Sequence, residues 1–170
     1  MKVPLKSTRF SAGSMAQFAP QEVRTFFVTS VTHQRRRLFQ TDRMANLLLD
    51  VLKENRSKAR FQLHEFVVMP DHFHLLITPA DEISLEKAVQ FIKGGFSYRA
   101  KKELDYRWEV WERSFTDQRI KDAEDYQRYR NYILQNPVQA RLCVAVEEYP
   151  YSSASSKIEL DPVPPWLKPR

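Results

Sequence analysis

His72 and His74 stand one residue apart in an apolar, β-prone run, Val67-Val68-Met69-Pro70-Asp71-His72-Phe73-His74-Leu75-Leu76-Ile77-Thr78. Side chains alternate faces along a strand, so both imidazoles point one way and Phe73 the other. Phe73 can enter a core while two neutral imidazoles stand together, which is half of a divalent-metal site. Two histidines on the solvated face of a half-buried strand satisfy the same pattern. A second pair lies further along the chain. Tyr132 and Asn136 are four residues apart and share a face wherever the segment is helical. A phenol supplies a nucleophile and a carboxamide oxygen a hard ligand. Two imidazoles and one oxygen leave coordination positions open for phosphate oxygens. The plainer readings stand beside this one. Asn136 can cap a helix that has Pro137 at its first position. Tyr132 can be a core residue, with Tyr126 or Tyr129 the reactive phenol. Only Tyr132 is followed four residues later by an amide; Arg130 follows Tyr126 and Ile133 follows Tyr129. His64 can enter the site from a neighbouring strand, although a structural role suits it better. His33 has no spaced partner and is assigned no role.

The elements that must position these groups follow from periodicity. Residues 25–32 are β-branched and aromatic and predict a first strand. Thr41 and Asp42 open an amphipathic helix over residues 42–56, with Met44, Leu47, Leu48, Val51 and Leu52 on its buried face. Residues 61–69 predict a second strand, Pro70-Asp71 a turn, and residues 72–78 a third strand paired with the second. Ser84 caps a second helix whose stripe is Leu85, Val89, Ile92, Phe96 and Ala100. Gly94-Gly95 predicts a kink there, or a close approach by a neighbouring backbone. Tyr106, Trp108 and Trp111 can stack on bases, though packing on the sheet is the commoner fate of such residues. Residues 114–120 predict a fourth strand and residues 123–135 a third helix. Asn136-Pro137 ends or restarts that helix, residues 138–146 add a short helical piece, and residues 149–154 form a turn. The order β-α-β-β-α-β is that of an α+β, ferredoxin-like (RRM-like) antiparallel sheet, with a further helix and tail appended. Three segments are expected: a basic N-terminal arm over residues 1–22, a domain over 23–156, and a Pro-rich tail over 157–170.

With 170 residues the chain suits one domain with a proper core. Lys and Arg number 27 against 21 Asp and Glu, and a net charge of +6 leans towards a polyanion such as nucleic acid. The single cysteine, Cys143, rules out an internal disulfide and a cysteine-rich zinc site, and reads as a small apolar residue. No run is long enough to span a membrane. The N-terminus lacks the apolar segment of a secretory signal, so a cytoplasmic location is expected. Neither a P-loop nor a dinucleotide fingerprint is present, so bond breaking and remaking here would proceed without nucleotide fuel. Arg35, Arg36 and Arg37 form a basic turn after the first strand, either a solvated loop or a set of phosphate contacts. Lys93 and Arg99 lie on the polar side of the second helix and are further DNA-binding candidates.

His72-Phe73-His74 after Met69-Pro70-Asp71 resembles the His-hydrophobe-His (HUH) motif. Tyr132-Ile133-Leu134-Gln135-Asn136-Pro137-Val138 resembles the Tyr-x-x-x-Asn-Pro-Val segment of the REP-associated tyrosine transposases, relatives of the single-tyrosine insertion-sequence transposases. The likeness spans residues 25–154 and includes Trp111-Glu112-Arg113 and Tyr149-Pro150-Tyr151-Ser152-Ser153. A lone His-x-His is weak; combined with the preceding Pro-Asp and the Tyr/Asn pair at this separation it is specific. The resemblance implies that His72, His74 and Asn136 hold Mg²⁺ or Mn²⁺ and that Tyr132 is the nucleophile. It implies cleavage and rejoining of single-stranded DNA near hairpins through a 5′-phosphotyrosine, by a monomer or a homodimer. Related transposases often carry Gln where this chain has Asn136. The arm departs from the family pattern and leaves Lys2, Arg9 and Arg24 as candidate contacts. A non-catalytic nucleic-acid-binding module and a water-using metallonuclease are the alternatives.

Overall fold

The structure, a computed structural model, describes residues 23–170; the arm expected over residues 1–22, with Lys2 and Arg9, lies outside them. The chain forms β1 (Phe26–Val31), α1 (Asp42–Ser57), β2 (Phe61–Met69), β3 (His72–Pro79), α2 (Leu85–Leu104), β4 (Thr116–Arg119) and α3 (Ala123–Gln139). The sheet order is β2-β3-β1-β4, and every neighbouring pair is antiparallel. This is the split β-α-β-β-α-β arrangement of the ferredoxin-like fold, with α3 added to it.

Alternation along the strands divides the interior into two layers. Phe26, Val28, Phe73, Leu75 and Ile77 meet the apolar stripes of α1 and α2 on one face. Phe27, Val67, Met69 and Leu76 meet Tyr126, Tyr129 and Ile133 of α3 on the other. Each such side chain, fully buried, stabilises the fold by roughly 1.5–3 kcal/mol. Covering both faces of an antiparallel sheet explains why β3 reads as a nearly continuous apolar run. A register shift between Leu63 and Glu65 in the β2–β3 ladder marks a bulge at His64. The inserted residue turns His64 and Glu65 to the same face: His64 lies against the Tyr126 ring and Glu65 meets Arg130 of α3.

The helices depart from expectation at two places. Gly94-Gly95 does not interrupt α2, which runs unbroken across them. A Cβ at Gly95 would stand 3.5 Å from the Val51 side chain of α1 and one at Gly94 would meet nothing, so the approach is an ordinary helix–helix contact. Asn136-Pro137 does not end or restart α3, which continues to Gln139. Pro137 falls in the last turn, where it cannot donate to Ile133 C=O and only Val138 and Gln139 follow it in the helix. The turn beyond it is closed by Ala140 N–H on Asn136 C=O, 3.0 Å, and Leu142 N–H on Pro137 C=O, 2.9 Å. The helical piece expected over residues 138–146 is therefore absent, and a single 3₁₀ turn at Val146–Glu148 follows instead. Side-chain caps at Ser84 and Asp122 open α2 and α3. The stretch expected as a turn at 149–154 runs along the free edge of β2: Val68 N–H donates to Tyr151 C=O (2.8 Å) and Ser153 N–H to Phe66 C=O (2.9 Å). Covering an edge this way removes unpaired backbone groups.

The Pro-rich tail is docked on the body. Asp161 takes both prongs of the Arg56 guanidinium at 3.0 Å and also accepts the Leu63 N–H at 2.8 Å, and Leu167 is fully buried. Asp161→Ala removes a forked ion pair and a backbone contact together. Urea unfolding is expected to show a loss of about 1–3 kcal/mol, with proteolysis of the tail accelerated.

Candidate active site

The β1–β3 ladder sets Thr29 opposite His74 and Val31 opposite His72. Both imidazoles face α3, as alternation requires, with ring centroids 4.7 Å apart. Each ring is oriented through its Nδ1. That of His72 lies 2.6 Å from Asp71 Oδ1, and that of His74 lies 2.7 Å from Thr29 Oγ1. In the tautomer that donates Nδ1–H from both rings, each Nε2 keeps its lone pair and can bind a cation. His74 Nε2 is buried and has no hydrogen-bond partner. A buried polar atom left this way is costly unless something fills its valence, and this fits a metal ligand. Burial holds both imidazoles below their ordinary pKa, His74 the more strongly, with charge on His72 adding to the effect; the Asp71 hydrogen bond opposes it at His72. Burial works to raise the Asp71 carboxyl, but His72 and Arg35 outweigh it and hold it below its usual range.

α3 carries the other two groups. The Tyr132 ring stands edge-on to His74, centroids 5.3 Å apart, and edge-on to Phe27 at 5.8 Å. Asn136, one turn on, lies inside the helix and is not a cap. Its carboxamide is close enough to favour the protonated form of His72. His72, His74, Tyr132 and Asn136 line one open cavity of ≈ 300 Å³, together with Thr29, Arg35 and Gln139. The other two phenols do not compete. Tyr126 and Tyr129 are buried in the layer between α3 and the sheet, and burial pushes both upwards in pKa.

The other candidates are scattered. Arg35 reaches the cavity. Arg36 instead points its guanidinium at the Tyr106 hydroxyl, 3.4 Å away, and Arg37 is exposed. Lys93 and Arg99 are on α2, across the sheet from the imidazoles. Lys93 bonds the Glu112 carbonyl at 2.8 Å, and Arg99 pairs with Glu103, Asp50 and Glu54. Arg24 lines a cleft with Phe26 and the loop after β3. His64 bonds Thr78 Oγ1 at 2.8 Å and stays outside the cavity. Trp111 packs on Phe39, Phe73 and Phe96, whereas Trp108 is exposed. Thr29 and Gln139 join the site unforeseen, and Asp71, expected only as part of the Pro-Asp before the motif, joins it as the partner of His72. Asp71 adjoins His72 in sequence, Gln139 follows Asn136 on the same helix, and Thr29 becomes visible only once the β1–β3 register is known.

The family model described as transposase, IS200-like, matches residues 24–136. The chain belongs to the IS200-like transposase family. It is an enzyme of the tyrosine-transposase kind and acts on DNA. It is 26% identical over 149 residues to a protein of Haemophilus influenzae described as a REP-associated tyrosine transposase, covering 82% of this chain and 84% of that one. It is 25% identical over 130 residues to the REP-associated tyrosine transposase of Escherichia coli K12, covering 76% and 75%. The fold matches the structure of a REP-associated tyrosine transposase bound to a REP hairpin, with TM-score 0.66 and 22% identity, covering 82% of each chain. Among the described residues of this transposase, no helix is long and apolar enough to cross a membrane. Among the described residues, no cluster of three His, Cys, Asp or Glu is placed to hold a metal, so a cation at the two imidazoles would take its remaining ligands from other groups.

Burial lowers the pKa of His64 as it does those of His72 and His74. The unfolded chain therefore binds protons that the folded chain refuses. The contribution of these histidines to stability is complete above about pH 6.5, the ordinary histidine value, and is lost as pH drops below it. Urea unfolding of the metal-free transposase on either side of that pH is expected to show the decline. His64→Gln, outside the cavity, is expected to make it shallower.

Proposed function

We propose that this transposase nicks and rejoins single-stranded DNA beside hairpins, with Tyr132 as nucleophile and His72, His74 and Asn136 holding Mg²⁺ or Mn²⁺. The observation that carries the reading is the Tyr132 ring against His74, whose buried Nε2 lacks a partner, in one open cavity. The relatives named for REP association and the neighbour solved on a REP hairpin support the choice of substrate. The Tyr132 oxygen attacks the scissile phosphorus and its proton passes to water in the cavity. The P–O3′ bond breaks, the 3′ oxygen leaves as a hydroxyl, and the 5′ phosphate remains esterified to Tyr132. The reverse attack by a 3′-hydroxyl rejoins the strand without ATP, because the phosphodiester energy is kept in the tyrosyl ester. A bound cation would neutralise charge growing on the phosphoryl oxygens. His72, His74 and Asn136 would hold it, Asp71 and Thr29 fix the two rings, and Phe27 keeps Tyr132 edge-on to His74. Both halves of the site come from one chain, which supports a monomer as the catalytic unit.

Tyr132→Phe should abolish the covalent protein–DNA adduct on a single-stranded hairpin substrate while binding persists. Unchanged cleavage would instead mean a water-using metallonuclease, and no cleavage by either protein a binding module. Imidazole ligands suit Mn²⁺ better than Mg²⁺, so adduct formation should be at least as fast with Mn²⁺. Thr29→Val keeps the side-chain shape and removes the acceptor for His74 Nδ1. Calorimetric Mn²⁺ titration should then show affinity weakened about 10- to 100-fold.

A further inference from the structure

We infer that Arg35 is a catalytic residue that grips the scissile phosphate, and is not one more contact in a basic turn; this rests on the tyrosine-transposase reading above. Of the three consecutive arginines, only Arg35 lines the cavity that holds His72, His74, Tyr132 and Asn136. Its Nη1 lies 3.4 Å from Asp71 Oδ2, while the other oxygen of that carboxylate holds His72 at 2.6 Å. The guanidinium thus stands one carboxylate away from the His72 imidazole. It is two-thirds exposed, so the ion pair itself contributes little to stability and most of the guanidinium's donors remain free.

The backbone is built to aim it. Gln34 and Arg35 both take left-handed φ values, 53° and 50°, a conformation that side-chain-bearing residues rarely hold and that recurs at functional sites. Several bonds hold the turn there. Arg35 N–H donates to Thr32 C=O at 3.0 Å, Gln34 N–H to Glu112 Oε1 at 2.8 Å, and the Thr32 hydroxyl lies at 2.7 Å from Arg36 C=O and 3.0 Å from Asp71 C=O. The same turn sends Arg36 away towards Tyr106. Arg35 also borders a second cavity, with Glu112, Ser114 and Thr116, that shares Thr29 and Val31 with the first. A strand passing from one cavity to the other would carry its backbone across this guanidinium. A planar fork of donors suits two oxygens of one phosphoryl group, and a lysine cannot reproduce it.

The test is single-turnover cleavage of a hairpin-flanked oligonucleotide by wild type, Arg35→Ala and Arg35→Lys. The scissile position carries either phosphate or methylphosphonate, which lacks one charged oxygen. Arg35→Ala is expected to slow adduct formation about 10²-fold with little change in hairpin affinity, and Arg35→Lys to recover only part of the loss. On methylphosphonate the gap between wild type and Arg35→Ala should vanish. An undiminished rate for Arg35→Ala, a loss confined to affinity, or a gap that persists on methylphosphonate would overturn the assignment. If Arg35→Ala fails to fold, Arg35→Lys decides by the same criteria. Tyr132→Phe run alongside separates the two readings: an adduct that survives it sinks the tyrosine mechanism, whereas its loss beside a full-rate Arg35→Ala sinks only the role of Arg35.

Discussion

The antiparallel pairing of β3 with β1 is the constraint on which the site depends. Its register places Thr29 beside His74 and Val31 beside His72. A slip of one residue would turn both imidazoles into the apolar layer under α1 and α2 and bring Phe73 out. The register is therefore held by the same alternation that builds the core. Phe73, Leu75 and Ile77 are fully buried on the far face, and the opposite phasing would bring them out. Core packing and ring placement are two outcomes of one pattern, and this is why an imidazole pair can sit at the start of a highly apolar strand.

α3 supplies the other half, and it is held to the sheet more firmly than a surface helix. Tyr129 stacks on Phe27 with centroids 4.6 Å apart, and Phe27 in turn stacks on His74 at 5.1 Å. Arg130 bonds Glu65 at 2.7 Å, and Ser153 reaches the other oxygen of that carboxylate. The bulge at His64 makes this possible by turning Glu65 towards α3. A helix fixed at Tyr126, Tyr129, Arg130 and Ile133 has little freedom to rotate, so Tyr132 and Asn136 are held over the imidazoles. Preorganisation of this kind is what a phosphoryl-transfer site requires, since most of its catalysis is positioning and charge stabilisation.

Polar groups around the cavity are arranged in layers. Asp71 and Thr29 use the Nδ1 atoms and so leave the Nε2 atoms facing inward. Arg35 and Asp71 set a positive and a negative group at the rim. Lys93 and Arg99, which share the positive charge of the chain, are engaged on the opposite side of the sheet with Glu112 and with Glu103, Asp50 and Glu54. Net charge alone therefore says little about which cations meet DNA.

Periodicity within single elements determined most of what was legible beforehand: the strand and helix order, the shared face of His72 and His74, and the one-turn spacing of Tyr132 and Asn136. These are local properties, fixed by the pleat and by the helical repeat. Gly94-Gly95 and Asn136-Pro137 were misleading because local propensity is a weak force against packing. α2 stays continuous where Gly95 meets Val51 of α1, and α3 keeps two residues beyond Pro137. Tertiary structure alone decided which arginine enters the cavity, which tyrosine is left open to solvent, and that Thr29, 45 residues from His74, orients its ring. Those choices depend on strand register, on a bulge and on a left-handed turn. Each joins residues far apart in the chain or sets a direction in space, and a one-dimensional pattern carries neither.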